Sequence, residues 1–119
     1  MTEIRVIRRG SCVCGLELCG HSGYEEQGKD IVCAALSTLI QTLEIGLTEV
    51  LRIEGVSTKV DEKLAYMGVF WGQKGNRRVE DLVNTIIAAL KSIENSYPSY
   101  TLFVEVKVNE NDQSSAVRP

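Results

Sequence analysis

Residues 20–46 read GHSGYEEQGKDIVCAALSTLIQTLEIG, and this stretch separates a predicted β-hairpin from the rest of the chain. Glycine occupies three of its first nine positions, which predicts an irregular loop over residues 20–28. Asp30 is a typical helix N-cap, and the apolar residues that follow it recur at helical spacing. The stretch therefore predicts a loop and then a helix over Ile31–Ile45 that ends at Gly46.

Strands are predicted on both sides of this helix by alternating apolar residues and by apolar runs. The predicted strands cover residues 2–9, 13–19, 50–54, 64–71 and 102–108, with a polar turn over residues 57–61. A second helix is predicted over residues 77–95. The order β-β-α-β-β-α-β predicts an α+β fold, with one mainly antiparallel sheet covered by two helices. We assign residues 1–108 to this single domain and residues 109–119 to a flexible C-terminal tail.

Composition narrows the functional classes. The chain has 119 residues, a net charge of −3 and 44% hydrophobic residues, as expected for one globular domain. The negative charge disfavours direct binding to nucleic acid. No apolar run approaches the roughly 18–20 residues of a membrane span, so no membrane partner is expected. The N-terminus lacks the apolar segment of a secretory signal, which predicts a cytoplasmic protein.

A first hypothesis for the cysteines is a zinc site, because Cys12, Cys14, Cys19 and His21 lie within ten positions. Structural zinc sites usually pair cysteines as Cys-x₂₋₄-Cys, whereas a single residue separates Cys12 from Cys14. We therefore favour the alternative, in which the three cysteines are small, half-buried strand residues. Neither a metal nor another cofactor is expected.

A second hypothesis concerns Cys33, which falls at the third position of the predicted helix. The free N–H groups and the positive end of the helix dipole favour a thiolate there. The nearby Asp30 opposes a thiolate, and a protonated His21 would compensate for it. The alternative is a buried, inert thiol between Val32 and Ala34. Glycines around His21 would let its loop close over a bound peptide.

The stretch GHSGYEEQGKDIVCAALSTLIQT resembles the active-site segment of the ribosomal-processing cysteine protease (Prp) family. That family carries Gly-His-Ala-Gly-Tyr and then Gly-x-Asp-Ile-Val-Cys-Ala-Ala, and Ser22 here replaces the usual alanine. The later stretch ALKSIENSYPSYTLFVEV is similar to the family's last helix and strand. The resemblance covers most of the chain and is weakest over residues 57–78.

The resemblance implies a bacterial endopeptidase that removes the N-terminal extension of large-subunit ribosomal protein bL27 and forms a homodimer. The family's catalytic pair falls on His21 and Cys33. Cys33 would attack the scissile carbonyl, His21 would protonate the leaving amine, and N–H groups at the helix start, including that of Cys33, would hold the oxyanion. Asp30 would either orient His21 or cap the helix, and Ser37 is assigned a structural role. The loop residues expected to move are Gly20, Ser22, Gly23, Tyr24 and Gly28.

Several alternatives stay open at this point. A phage-encoded relative that processes a capsid-associated protein would carry the same residues. A ribosome-associated adaptor would need the same surface but not the thiol. Met67, Val69 and Trp71 share one face of a predicted strand, and they would form a dimer face, accept substrate side chains or lie beneath the helices.

Overall fold

The computed structural model describes residues 1–21, 23–25, 30–72 and 76–108. Its elements follow the predicted order. They are β1 (Thr2–Arg9), β2 (Cys12–Cys19), α1 (Ile31–Ile45) with a π-helical turn (Gly46–Val50), β3 (Ser57–Asp61), β4 (Tyr66–Phe70), α2 (Arg77–Ser96) and β5 (Thr101–Val108). Ser22, Gly28 and the predicted tail 109–119 lie outside the described residues.

The five strands form one mixed sheet in the order β3-β4-β2-β1-β5. β1 pairs with β5 in parallel, and the other three pairs are antiparallel. The α+β fold with a mainly antiparallel sheet is therefore confirmed.

Both helices pack on the same face of the sheet, because each presents an apolar stripe to it. The buried residues of the stripes are Val32, Leu36, Ile40 and Leu43 in α1 and Val79, Val83, Ile86 and Leu90 in α2. They form one core with strand residues that include Ile4, Leu16 and Val69. This packing places the first turn of α1 at one end of the sheet.

The region between α1 and β4 differs from the prediction. Residues 50–54 do not form a strand, and Arg52 has a left-handed backbone with φ of 55°. Their apolar side chains instead pack on the core from a loop, as Leu51 and Ile53 show. The strand lies at Ser57–Asp61, where a turn was predicted. It is an edge strand exposed on most of its surface, so its sequence carries no apolar alternation.

The end of α1 also differs from the prediction. Gly46 has helical dihedrals (φ −60°, ψ −44°), and the chain continues through it as a π-helical turn to Val50. Contrary to the composition argument, the segment Ile31–Val50 is long and apolar enough to cross a membrane by length and composition alone. This evidence is weak, because the same helix supplies one wall of the core.

The opposite face of the sheet has its own smaller apolar cluster. Ile7, Cys14 and Val108 are buried there, with Phe70 and Val106 packed against them. Leu102 lies two and four residues before Val104 and Val106 on β5 and is 46% exposed. We call Leu102, Val104, Val106, Ile7 and Phe70 the helix-free face.

Candidate active site

A cleft of about 360 Å³ lies at the end of the sheet where β2 and β3 finish and β4 begins. One wall is the start of α1, with Cys33, Ala34 and Ser37. The apolar floor includes Leu18 and Leu36, and His21 lies on the rim. The structure therefore brings the two sequence-predicted catalytic residues to one cleft.

Cys33 occupies the third position of α1, as predicted, because Asp30 caps the helix. Asp30 Oδ1 accepts the backbone N–H of Val32 at 2.9 Å and that of Cys33 at 3.0 Å. Cys33 is not in a disulfide and is partly exposed. Cys33 is therefore not completely buried, and it lines the cleft.

Three N–H groups at the start of α1 donate to Asp30. Besides the two that donate to Asp30 Oδ1, the Ala34 N–H donates to the Asp30 carbonyl at 3.0 Å. The Cys33 N–H was expected to hold the oxyanion, and it does not serve that purpose while it is bonded to Asp30.

His21 follows a glycine whose backbone is fixed on both sides. The Gly20 N–H donates to the Ala65 carbonyl at 2.8 Å, and the Thr2 hydroxyl donates to the Gly20 carbonyl at 3.1 Å. Gly20 has φ of +89°, and a Cβ there would lie 3.0 Å from the Met1 carbonyl oxygen. Glycine is therefore required at this position by conformation and by space.

Asp30 connects the helix to the loop. It is only 7% exposed, and while Oδ1 caps α1, Oδ2 accepts the Tyr24 N–H at 3.2 Å. Of the two roles left open by the sequence, these contacts support capping. Ser37 lies one helical turn beyond Cys33 and lines the same cleft.

Tyr24, one of the loop residues expected to move, contacts two other aromatic rings. Its ring makes edge-to-face contacts with Tyr97 at 5.5 Å and with Tyr100 at 5.3 Å between ring centroids. Gly23 has φ of +80°, and among the described residues no atom lies within 4 Å of the position that a Cβ would take. Movement of this loop stays a prediction, and the contacts of Tyr24 would have to break for it.

The four zinc candidates do not form one site. Cys12 and Cys19 are the first and last residues of β2, which places them roughly 23 Å apart at about 3.3 Å per residue. Ligands of one zinc ion lie within about 2.3 Å of it, so these two cannot share an ion. Burial raises the pKa of the Cys14 and Cys19 thiols, which keeps both protonated at neutral pH.

The three apolar residues left open by the sequence, two in β4 and one directly after it, pack on the helix side of the sheet. Val69 is 1% exposed and Trp71 is 5% exposed, and both belong to the main core. Met67 packs against this core and also lines the cleft. Val69 and Trp71 are therefore excluded as a dimer face.

A buried polar cluster was missed by the sequence analysis. Glu17 is fully buried and accepts a hydrogen bond from the Tyr66 hydroxyl, while Arg5 Nη1 lies 3.5 Å from its Oε1. Burial, and then this hydrogen bond, raise the pKa of Tyr66 above its usual range. The hydrogen bond to Glu3 raises the pKa of Arg5. The sequence does contain a signal for this cluster, which is the single glutamate in the otherwise apolar strand CVCGLELC.

Residues 1–102 match the family described as cysteine protease Prp. No curated protein matches the chain significantly. The chain is similar to SMU.848 from Streptococcus mutans, with 28% identity, a TM-score of 0.77 and coverage of 91% of this chain and 96% of that one.

Two further structures share the fold. The essential ribosomal processing protease Prp from S. aureus, in complex with a covalently linked product peptide, is 20% identical with a TM-score of 0.77. The same protease in complex with a substrate peptide is 19% identical with a TM-score of 0.73. In both cases 88% of this chain and 99% of that chain are covered. The match over residues 1–102 shows that the chain belongs to the cysteine protease Prp family.

Proposed function

We propose that this protein is a cysteine endopeptidase that removes the N-terminal extension of ribosomal protein bL27. The observation that carries the proposal is the shared cleft of Cys33 and His21, with Cys33 in the first turn of α1. An open cleft with an apolar floor suits an extended peptide that carries apolar side chains.

In the proposed mechanism His21 takes the proton of the Cys33 thiol, and the sulfur attacks the scissile carbonyl. His21 then protonates the departing amine, and a water molecule deprotonated by His21 hydrolyses the acyl-enzyme. Since the Cys33 N–H donates to Asp30, we assign oxyanion binding to the Ser37 hydroxyl on the same wall. Ser37→Ala should then lower kcat more than it changes KM.

The decisive experiment is incubation with the bL27 precursor from the same genome, followed by N-terminal sequencing of the product. Cys33→Ala and Cys33→Ser should abolish cleavage while the protein remains folded. Cys12→Ser, Cys14→Ser and Cys19→Ser are matched thiol controls and should retain most of the activity. Cleavage by Cys33→Ala at a rate near that of the wild type would show that the nucleophile is misassigned.

Two other outcomes would redirect the proposal. An adaptor would bind the precursor without cutting it, and iodoacetamide would then alkylate Cys33 no faster than an ordinary exposed thiol at pH 7. A phage-encoded relative would leave bL27 intact and cleave a capsid-associated protein instead. Either result would overturn bL27 processing, and the first would also overturn the enzymatic role.

We further propose that the protein acts in the cytoplasm as a homodimer that pairs through the helix-free face. Leu102 is 46% exposed on this face, and the apolar cluster around Ile7 lies farther along β5 on the same face, so a two-fold interface would cover both copies of this surface. Light scattering at micromolar concentration should give twice the mass of one chain. Leu102→Asp, at an exposed position, should give the monomer, and a monomeric wild type would contradict this part.

A further inference from the structure

The turn that joins α2 to β5 carries two tyrosines that the proposed mechanism does not use. Tyr97 directly follows α2, and Tyr100 directly precedes β5. The Tyr97 N–H donates to the Ile93 carbonyl at 2.9 Å, and the Tyr100 N–H donates to the Tyr97 carbonyl at 3.0 Å. Both side chains also pack against the main core. The turn is therefore anchored to the domain through its backbone and its side chains.

This turn holds the chain after His21 through aromatic contacts. The Tyr24 ring meets the rings of Tyr97 and Tyr100 edge to face, with angles of 86° and 80° between the ring planes. Such contacts are favourable because the positive edge of one ring lies against the negative face of the other. We call Tyr24, Tyr97 and Tyr100 the tyrosine cluster. It fixes the chain three residues after His21.

The same turn holds the chain before His21 through hydrogen bonds. The Tyr100 carbonyl accepts the Thr2 N–H at 2.9 Å, and the Thr2 hydroxyl donates to the Gly20 carbonyl at 3.1 Å. Thr2 is only 2% exposed, so water competes little for these bonds. The turn therefore fixes the chain on both sides of His21.

His21 depends on these contacts because the residue itself is exposed. Burial does not fix an exposed imidazole, so the flanking residues decide where it lies. A misplacement of about 1 Å can slow a reaction about a hundredfold. We propose that Tyr97 and Tyr100 are positioning residues that, through the tyrosine cluster, hold the imidazole of His21 at the rim of the cleft. There it exchanges a proton with Cys33 during cleavage, so this inference rests on the proposed function.

The first test removes the aromatic contacts and measures cleavage of the bL27 precursor. Tyr24→Leu keeps an apolar side chain at a position that is 38% exposed, so the fold should persist. Its kcat should fall at least about tenfold while KM changes less than about threefold, because proton transfer is affected more than binding. Tyr24→Phe keeps the ring and should retain kcat within about twofold of the wild type.

The second test removes the other two rings. The double variant Tyr97→Leu/Tyr100→Leu should lose kcat to the same extent as Tyr24→Leu. Adding Tyr24→Leu to it should cause no further loss, because the residues of one cluster are coupled. Phe103→Leu is the matched control, since Phe103 packs against the same core and its ring lies 5.7 Å from Lys91 Nζ. This control should lower Tm but keep kcat within about twofold.

A third measurement follows His21 without relying on activity. His21 is the only histidine, so isotopically labelled histidine gives a single backbone amide signal in the untagged protein. The NMR order parameter of this amide should be near the value of about 0.85 for a rigid backbone in the wild type and in Tyr24→Phe. In Tyr24→Leu it should fall below about 0.6, the range of a flexible backbone.

The outcomes separate this inference from the proposed function. If the wild type does not cleave the precursor, the protease function fails, while the order parameter of His21 still tests the positioning. The positioning role is overturned if the order parameter is the same in Tyr24→Leu and the wild type, or if Phe103→Leu lowers kcat as much as Tyr24→Leu. A higher kcat for Tyr24→Leu would also overturn it, because the tyrosine cluster would then hold His21 away from its working position.

Discussion

Replacing Asp30 by alanine should destabilise the protein more than loss of an ordinary helix cap. Oδ1 caps α1 through the N–H groups of Val32 and Cys33, and such a cap contributes about 1 kcal/mol. Oδ2 accepts the Tyr24 N–H, and a hydrogen bond to a charged group contributes about 1.5 kcal/mol. Asp30→Ala should therefore lower the free energy of unfolding by about 2.5 kcal/mol.

The matched control is Asn76→Ala, which removes the cap of α2. Asn76 Oδ1 accepts the N–H groups of Arg78 at 2.9 Å and Val79 at 3.3 Å, away from the cleft. Its loss should cost only about 1 kcal/mol. At an unfolding entropy of about 2.1 cal/mol/K per residue, the expected decreases in Tm are about 10 °C for Asp30→Ala and about 4 °C for Asn76→Ala. Thermal unfolding followed by circular dichroism measures both.

Measurements of activity distinguish between the two roles considered for Asp30, which are to cap α1 and to orient His21. The amide oxygen of Asp30→Asn keeps the cap, so its kcat/KM on the bL27 precursor should stay within about threefold of the wild type. Equal Tm values for Asp30→Ala and Asn76→Ala would refute the double role assigned to the carboxylate. A folded Asp30→Asn enzyme without activity would show that cleavage needs more than the cap, either the charge or the second oxygen that accepts the Tyr24 N–H.

Two further predictions concern the buried cluster and the loop. Tyr66→Phe removes the donor to buried Glu17 and should cost about 1–3 kcal/mol in urea unfolding at pH 7. Because the pKa of Tyr66 is raised in the folded protein, this stabilisation is present below about pH 10 and is lost above it, so the difference from wild type should narrow there. A difference that stays constant to pH 11 would contradict this. Gly23→Ala and Gly55→Ala, at φ of +80° and +78°, should each cost about 1 kcal/mol, but only the first should slow cleavage if the His21 loop closes on substrate. Equal cleavage rates for the two variants would contradict closure of the His21 loop on substrate.

The elements that the sequence predicted well are those with one buried face. β1 was predicted over its observed range, and α2 to within one residue, because the buried stripe of each repeats with the period of its backbone. β3 was missed, since an exposed edge strand has no such stripe. Residues 50–54 were misassigned because apolar side chains in a loop that covers the core look like a strand.

The candidate site shows a similar distinction between local signals and contacts that form only in the folded chain. Cys33 was found through a local signal, the cap three residues before it. The residues that fix the backbone before His21 were not found, since Thr2 and Ala65 lie 18 and 45 positions from Gly20 and contact it only after folding. The use of the Cys33 N–H by Asp30 also depends on side-chain geometry. Local patterns therefore indicate the candidate catalytic residues, but not the contacts that position them.

The predicted and the observed conformations of Gly46 imply different effects of mutation on stability, which can be measured. If Gly46 ended the helix in a left-handed conformation, as the sequence predicted, its replacement by alanine would strain the backbone and destabilise the protein. Its φ of −60° makes alanine the better helix residue by about 0.5–1 kcal/mol, but a Cβ would lie 2.6 Å from Leu82 Cδ2. Gly46→Ala should therefore destabilise the wild type through this contact, by about 1–3 kcal/mol. In a Leu82→Ala background the same change should stabilise the protein by about 0.5–1 kcal/mol. Urea unfolding of the four proteins tests this, and destabilisation in both backgrounds would mean that the backbone at Gly46, and not the contact with α2, requires glycine.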